Sequence, residues 1–158
     1  MRLSRRSEYG LRALTDLVRH EGEGPIALAS LAERNRLPAK FLEQIMATLK
    51  HGGVVRTTLG ARGGYAMADD PATISLGRVI RLLDGALAPL NCVSLRYYAK
   101  CSCPDEATCS LRDVMLDVRD AMLAILDDQT LADLAARPGR ASIDPAGIHT
   151  EALAGLRP

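Results

Sequence analysis

The sequence predicts a mainly α-helical protein with one small β-hairpin and a long helix in its second half. Three observations lead to this prediction. Three amphipathic segments precede two strand-like runs within the first 70 residues, and a glycine-rich turn separates those runs. A further segment with strong helical periodicity begins near residue 111. The 158 residues, 47% apolar and 25% charged, suffice for one globular core or for two small lobes.

The first 70 residues are predicted to form a winged helix-turn-helix. Residues 5–20, 28–36 and 38–52 each carry apolar side chains at helical spacing. Residues 54–58 and 65–67 read as two strands of a hairpin. Three helices followed by a hairpin, with the second and third helices closely joined, are typical of this fold.

A boundary is predicted at Asp69-Asp70-Pro71, so that residues 71–137 form a separate sensor and dimerisation region. A helix is predicted between Ser75 and Gly85. Residues 86–109 lack helical periodicity and contain every cysteine. They precede a helix of about 16 residues and a short helix capped by Thr130.

The ends of the chain bear on its location. Residues 138–158 are rich in Pro, Gly and Ala, and they are predicted to be a disordered tail. No apolar run approaches the ~18 residues of a membrane span. The basic start leads into polar residues, where a signal peptide would have an apolar core. We therefore expect a cytoplasmic protein without membrane association.

The charge is divided unevenly along the chain. Residues 1–68 hold 11 Lys and Arg against 6 Asp and Glu, whereas the remaining residues hold 9 against 13. A basic first lobe is expected when only that lobe meets a polyanion. The winged helix-turn-helix makes double-stranded DNA the expected partner.

In such a fold the second helix of the pair lies in the major groove. The third predicted helix should present Lys40, Glu43 and Gln44 to base edges. Arg62, at the tip of the hairpin, is placed to enter a minor groove. Phosphates should be neutralised by the remaining basic residues, which are Arg2, Arg5, Arg6, Arg36, Lys50 and Arg56. The full set of candidate DNA-binding residues is Arg2, Arg5, Arg36, Lys40, Glu43, Gln44, Lys50, Arg56 and Arg62.

The long helix carries an apolar stripe that needs a partner surface. Pairing with the same helix of a second subunit would bury it and give a homodimer. The alternative is packing against the first and fourth helices of its own chain. The predicted interface residues are Leu111, Val114, Met115, Val118 and Met122.

Four cysteines fall within 18 residues, in the pattern Cys92-x8-Cys101-x-Cys103-x5-Cys109. In a reducing cytosol such clusters are more often metal ligands or redox centres than structural disulfides. Thiolates suit zinc or iron–sulfur clusters. The spacing differs from the paired C-x2-C of a common zinc ribbon, so the choice between these chemistries stays open.

Four motifs carry a resemblance to a known family: the opening Met1-Arg2-Leu3 with Tyr9-Gly10-Leu11-Arg12-Ala13-Leu14, the run Phe41-Leu42-Glu43-Gln44-Ile45, the turn Arg62-Gly63-Gly64-Tyr65, and Cys92 with Cys103-x5-Cys109. With them, residues 1–136 resemble the bacterial winged-helix repressors typified by the iron–sulfur cluster assembly regulator, which have nitric-oxide-sensing and iron-responsive relatives. The resemblance implies a homodimeric repressor on a pseudo-palindromic operator, controlled by an iron–sulfur cluster.

The resemblance also implies a ligand set. Cys92, Cys103 and Cys109 correspond to the three cysteines of the family. Some members add a histidine three residues after the last cysteine, where this chain has Arg112, and others use a carboxylate of the partner chain, which corresponds to Glu8. The fourth ligand is therefore Glu8 of the partner chain or the additional Cys101. The cluster type, [2Fe-2S] or [4Fe-4S], stays open.

The leading hypothesis is thus a DNA-binding regulator whose operator affinity depends on an iron–sulfur cluster that senses iron, redox state or nitric oxide. One alternative is a winged-helix regulator that uses zinc or thiol redox chemistry. Another is a soluble iron–sulfur carrier, against which the basic lobe argues. No catalytic triad, phosphate loop or H-E-x-x-H motif occurs in the sequence, so an enzyme is not expected.

Overall fold

The computed structural model describes residues 3–60 and 63–138, and within them six α-helices and one hairpin follow in the predicted order. The helices are α1 (Arg5–Arg19), α2 (Leu28–Asn35), α3 (Ala39–His51), α4 (Leu76–Asp84), α5 (Ser110–Asp128) and α6 (Leu131–Ala136), and the strands are β1 (Val55–Thr58) and β2 (Gly64–Met67). The mainly helical fold class is confirmed. Arg2, Arg62 and tail residues 139–158 lie outside the described residues.

Helices α1, α2 and α3 pack around one apolar core. Ser4 caps α1, its Oγ accepting hydrogen bonds from the backbone N–H groups of Arg6 and Ser7. The turn between α2 and α3 places Arg36 in the left-handed region, with φ of +53°. The inward faces of the three helices contribute Ala13, Leu14, Leu17, Leu31, Leu42, Ile45, Met46 and Leu49 to the buried core. Each buried leucine contributes about 1.5–3 kcal/mol to folding.

Gly10 allows α1 to approach its neighbours closely. A Cβ atom at this position would lie 2.5 Å from Cδ1 of Leu83 in α4 and 3.3 Å from Cγ2 of Ile45 in α3. The first helix therefore sits against both the helix-turn-helix and the beginning of the second half of the chain.

The hairpin packs beside α1. Strands β1 and β2 are antiparallel, with Val55 opposite Met67 and Thr58 opposite Gly64. Ile26, just before α2, adds a bridge to Tyr65 through two backbone hydrogen bonds of 2.9 and 2.8 Å. The wing is thus attached to the helical core along its second strand.

The C-terminal helix α6 returns to α1. The backbone N–H of Leu131 donates to the carbonyl oxygen of Ile74 at 2.9 Å, and Arg19 Nε donates to the carbonyl oxygen of Ala135 at 3.1 Å. Leu131 and Ile74 are fully buried in the same core cluster as the three N-terminal helices. One apolar core therefore extends across the boundary predicted after residue 70, and the division of the chain at that point stays a prediction.

Helix α5 is longer than predicted, with 19 residues, and none of them is buried. It packs on α4 of its own chain, where Arg81 Nη2 donates to Asp127 Oδ1 at 2.5 Å. Leu116, Leu123 and Leu126 are half-buried. The stripe predicted for dimerisation lies on a different face, with Leu111 61%, Val114 54% and Val118 45% exposed, and Met115 and Met122 at its margin. Within the described residues, no helix combines the length and apolarity that crossing a membrane requires.

Candidate DNA-binding surface and cysteine loop

Helix α3 presents one polar face to solvent. Lys40, Glu43 and Gln44 are exposed, whereas Leu42 and Ile45 are fully buried on the opposite side. This arrangement follows from the helical period, because residues three and four apart share a face. The exposed face offers an ammonium, a carboxylate and an amide, which are the groups that distinguish base edges in a major groove.

Four of the other basic candidates also lie on the surface. Arg5, Arg36, Lys50 and Arg56 are exposed, as the sequence predicts. Arg36 stands at the end of α2, directly before α3. Arg56 belongs to β1, and its Nε donates to the carbonyl oxygen of Met67 in β2 at 3.1 Å.

Arg6 differs from the other basic candidates in its surroundings. Arg6 is half-buried, and its Nη2 donates to Oγ1 of Thr48 at 2.5 Å. Thr48 in turn donates to the carbonyl oxygen of Gln44 one turn earlier in α3. Arg6 therefore connects the start of α1 to α3, and a phosphate contact by its guanidinium stays a prediction.

The four cysteines lie in the segment between α4 and α5, which we call the cysteine loop (residues 86–109). Cys92 is buried in a 3-10 turn over Asn91–Val93, and Cys109 is the N-cap residue of α5. Cys101 and Cys103 form a disulfide, with their Cα atoms 5.4 Å apart. The sequence favours metal ligands or redox centres over a structural disulfide, whereas here the turn between these two residues brings their sulfur atoms together.

A carboxylate joins two of the cysteines. The ligand atoms of Cys92, Cys101 and Glu106 all lie within 4.8 Å of one another. The structure thus groups one predicted ligand, Cys92, with the candidate fourth ligand Cys101, and it places Cys103 next to them through the disulfide. Cys109 is half-buried and is not part of this group of three.

Sequence reasoning missed Glu106. The available signal is its position between Cys103 and Cys109, in a loop already suspected of binding metal. A local turn orients it: the Asp105 carboxylate accepts hydrogen bonds from the backbone N–H of Ala107 at 3.0 Å and from Oγ1 of Thr108 at 2.8 Å. The Thr108 bond, with that of Ala107, lowers the pKa of Asp105.

Two neighbours hold the Glu106 carboxylate. The hydroxyl of Tyr98 donates to Oε2 at 2.6 Å, and this hydrogen bond raises the pKa of the Tyr98 phenol. Nε of Arg112 lies 3.5 Å from Oε1. The side chain of Glu106 is only 18% exposed, and its Oε1 is buried without a hydrogen-bond partner among the described residues. Arg112 thus faces this carboxylate.

Glu8 shares a groove with the first residues of the cysteine loop of its own chain, but it is grouped with none of the described cysteines. Its side chain is 56% exposed on α1, 3.8 Å from Nη1 of Arg12. It lines an open groove of about 940 Å³ together with Arg5, Asp84 and Leu87, and none of the described residues that line the groove is a cysteine. A cysteine loop of a second subunit would have to supply the sulfur ligands if Glu8 bound a cluster.

The donor atoms of the cysteine loop fit an iron–sulfur cluster. Soft thiolates are the usual ligands of such clusters, and the loop supplies them from four positions. Oε1 of Glu106, beside Cys92, has an ion-pair neighbour in Arg112 but no hydrogen bond among the described residues, whereas buried polar atoms normally have one. A bound metal would supply the missing partner. Reduction of the Cys101–Cys103 disulfide is required before either sulfur can bind iron.

A scan against protein families matches residues 3–137 to one family, described as Rrf2, iron-dependent transcriptional regulator. The chain belongs to the Rrf2 family. It is 35% identical over 135 residues to the HTH-type transcriptional regulator CymR of Bacillus subtilis (strain 168), covering 85% of this chain and 90% of that relative. This Rrf2 protein is therefore a helix-turn-helix transcriptional regulator that binds DNA, and not an enzyme.

Solved structures agree with this assignment. IscR from T. potens superposes with a TM-score of 0.69 at 32% identity, covering 90% of this chain and 93% of that one. The oxidised form of Staphylococcus aureus CymR superposes with a TM-score of 0.71 at 33% identity, covering 87% of this chain and 98% of that one. The winged-helix architecture predicted from the sequence is confirmed.

Proposed function

We propose that this Rrf2 protein is a homodimeric repressor whose affinity for a pseudo-palindromic operator is set by an iron–sulfur cluster in its cysteine loop. The observation that carries the proposal is the grouping of Cys92, Cys101 and Glu106 within 4.8 Å, in a loop packed against the long helix α5. The family description as iron-dependent supports it.

DNA recognition is assigned to α3 and its surroundings. Glu43 and Gln44 read base edges, since a carboxylate accepts from cytosine N4 and an amide bridges adenine N6 and N7. Lys40 serves guanine or a phosphate. Arg2, Arg5, Arg36, Lys50 and Arg56 neutralise phosphates, and Arg62 enters the minor groove beside the wing.

Cys92, Cys103 and Cys109 are the proposed thiolate ligands, with either Glu8 of the partner subunit or Cys101 in the fourth place. When bound, the cluster supplies a centre that iron supply, oxidants or nitric oxide can alter. The buried position of Cys92 protects its sulfur from solvent, and Cys109 fixes the start of α5. A change in the ligands therefore alters the start of α5, the helix proposed to join two subunits.

The same helix connects the loop to the remainder of the chain. Arg119 in α5 donates to the carbonyl oxygen of Val93, the residue after Cys92. The exposed stripe of α5 provides the surface for the second subunit, and α4 lies between α5 and the DNA-binding helices. Rearrangement of the loop can thus alter the spacing of the two reading helices in a dimer.

The disulfide favours a second candidate, a regulator switched by thiol oxidation. Two thiols at Cys101 and Cys103 pass two electrons to hydrogen peroxide and form the S–S bond, and their two protons go to the two water molecules that result from cleavage of the O–O bond. The existence of an oxidised form of S. aureus CymR is compatible with such chemistry in the family. In this version the loop changes shape without any metal.

An iron and sulfide analysis distinguishes the two candidates. The full chain is reduced with dithiothreitol without oxygen, supplied with ferrous iron and sulfide, and desalted. The cluster proposal expects stoichiometric iron and sulfide with visible absorption bands, both lost in Cys92→Ser. A colourless wild-type protein, whose Cys101–Cys103 disulfide forms and breaks reversibly, would instead support the thiol switch.

A further inference from the structure

We propose that Glu106 supplies an oxygen ligand to the metal centre of the cysteine loop, from within the same subunit and in place of the partner subunit's Glu8. The assignment rests on the proposed function, because it names a ligand of that centre. The carboxylate lies with the sulfur atoms of Cys92 and Cys101 inside a span of 4.8 Å. Cys101 becomes a ligand beside Glu106 only after its disulfide to Cys103 is reduced.

The surroundings of Glu106 prepare one oxygen for this role. Oε2 is held by the Tyr98 hydroxyl at 2.6 Å, which leaves Oε1 as the oxygen without a hydrogen bond. This oxygen is shielded from water, and Nε of Arg112, 3.5 Å away, makes no hydrogen bond to it. A buried carboxylate oxygen without a hydrogen bond is costly. A metal ion is a partner that would remove this cost.

Arg112 is compatible with a ligand role for Glu106. Its Nε lies 3.5 Å from Oε1, which is close enough for an ion pair, but the two atoms make no hydrogen bond. Thiolates and a carboxylate around an iron–sulfur core carry net negative charge, and a guanidinium at this distance offsets part of it. The net charge around a cluster also influences its reduction potential.

Glu8 lacks these features within its own chain. Its side chain is 56% exposed. Glu106, in contrast, is mostly buried and follows Cys103 by only three residues. A loop that brings its own carboxylate to its sulfur atoms has no need of a carboxylate from the second subunit.

Matched variants test the assignment by the lifetime of the cluster. The wild-type chain, Glu106→Gln, Glu8→Gln and Glu106→Cys are loaded with iron and sulfide, and the decay of visible absorption is followed in excess EDTA. We expect Glu106→Gln to lose its cluster at least tenfold faster than wild type and Glu8→Gln to decay like wild type. Glu106→Cys should restore a long-lived cluster with altered absorption bands, which a purely structural role would not produce.

The remaining outcomes contradict the assignment. Wild-type decay in Glu106→Gln would overturn it, and fast decay in Glu8→Gln alone would give the oxygen ligand to the partner subunit. Fast decay in both variants would also overturn it, because Glu106 would then not replace Glu8. A wild-type chain that holds neither iron nor sulfide would overturn the cluster itself, whereas a loaded wild-type chain leaves only the ligand in question.

Discussion

The guanidinium of Arg119 donates a hydrogen bond from Nη1 to the carbonyl oxygen of Val93 at 2.8 Å. Val93 is buried and directly follows Cys92, so this bond joins the sulfur-bearing turn to the middle of α5. The side chain of Arg119 is only 13% exposed. This contact gives the cysteine loop a physical connection to the helix proposed as the dimer interface.

Removing this bond should loosen the loop. Arg119→Met keeps the aliphatic stem but leaves a sheltered carbonyl oxygen unpaired, at a cost of about 1–3 kcal/mol. Urea unfolding should show this loss, and hydrogen exchange should increase at residues 91–94. Asp120→Asn is the control, because it changes only the exposed partner of Arg119 and should cost less than about 0.5 kcal/mol. Equal stability of Arg119→Met and wild type would show that the bond contributes nothing.

Base preference should depend on Glu43. Glu43→Ala removes an edge-reading carboxylate and a negative charge, so the preferred sequence should change while nonspecific affinity stays equal or rises. Selection from a random duplex library measures the preference. Asp117→Ala, which removes one exposed negative charge from α5, is the matched control and should leave the preferred sequence unchanged. An unchanged preference in Glu43→Ala would remove that residue from the reading face.

Phosphate contacts should appear in the salt dependence of binding. Lys50→Ala should weaken binding to all sequences alike and reduce the slope of log affinity against log salt by about 1, since one phosphate is no longer neutralised. Arg62→Ala should weaken binding by about 1–3 kcal/mol if it reads the groove. Anisotropy titrations at several salt concentrations give both quantities. A slope unchanged by Lys50→Ala would place that ammonium away from the DNA.

The exposed stripe of α5 should form the subunit interface. Val118→Glu places a charge in its centre, and an unpaired buried charge costs several kcal/mol, so monomers or aggregates should result. Ala124→Glu is the control, because Ala124 lies on the opposite side of the same helix and is also exposed. Light scattering should then show a dimer for Ala124→Glu and for wild type. A stable Val118→Glu dimer would place the interface elsewhere.

The cap of α6 should make stability depend on pH. Asp133 accepts hydrogen bonds from Oγ1 and the backbone N–H of Thr130, and these lower the pKa of its carboxyl below the ordinary 3.8. A lowered folded pKa means that the stabilisation is complete above the unfolded pKa and is lost as pH falls through the folded pKa. The difference in unfolding free energy between wild type and Asp133→Asn should therefore shrink below about pH 4. A difference that stays constant during acidification would show that the carboxylate does not act in the cap.

Local patterns explain how far the sequence predicted the structure. The helices and the hairpin follow from short-range periodicity, and the caps at Ser75 and Thr130 lie where the residue types predict them. The packing of helix α5 is harder to predict, because the helix carries one apolar face toward α4 and another toward solvent. Periodicity reports both faces but does not say which of them its own chain covers.

Contacts between distant residues account for the rest. The guanidinium of Arg6 donates to Thr48, which lies 42 positions later in the sequence. The basic residue type predicts a phosphate contact but gives no sign of this distant partner. Glu106 meets Cys92 only because the cysteine loop folds back on itself, and no repeat or period marks that return. The pairing of Cys101 with Cys103 likewise depends on the shape of one turn.

The chemical state of the cysteine loop is proposed to set the affinity of this Rrf2 protein for DNA. The direct measurement is the dissociation constant for one library-selected duplex, taken with cluster-loaded, reduced metal-free and disulfide-oxidised protein at one salt concentration. We expect the loaded and metal-free proteins to differ at least tenfold, about 1.4 kcal/mol, and Cys92→Ser to show no response to iron and sulfide. Equal dissociation constants for all three states would contradict the account.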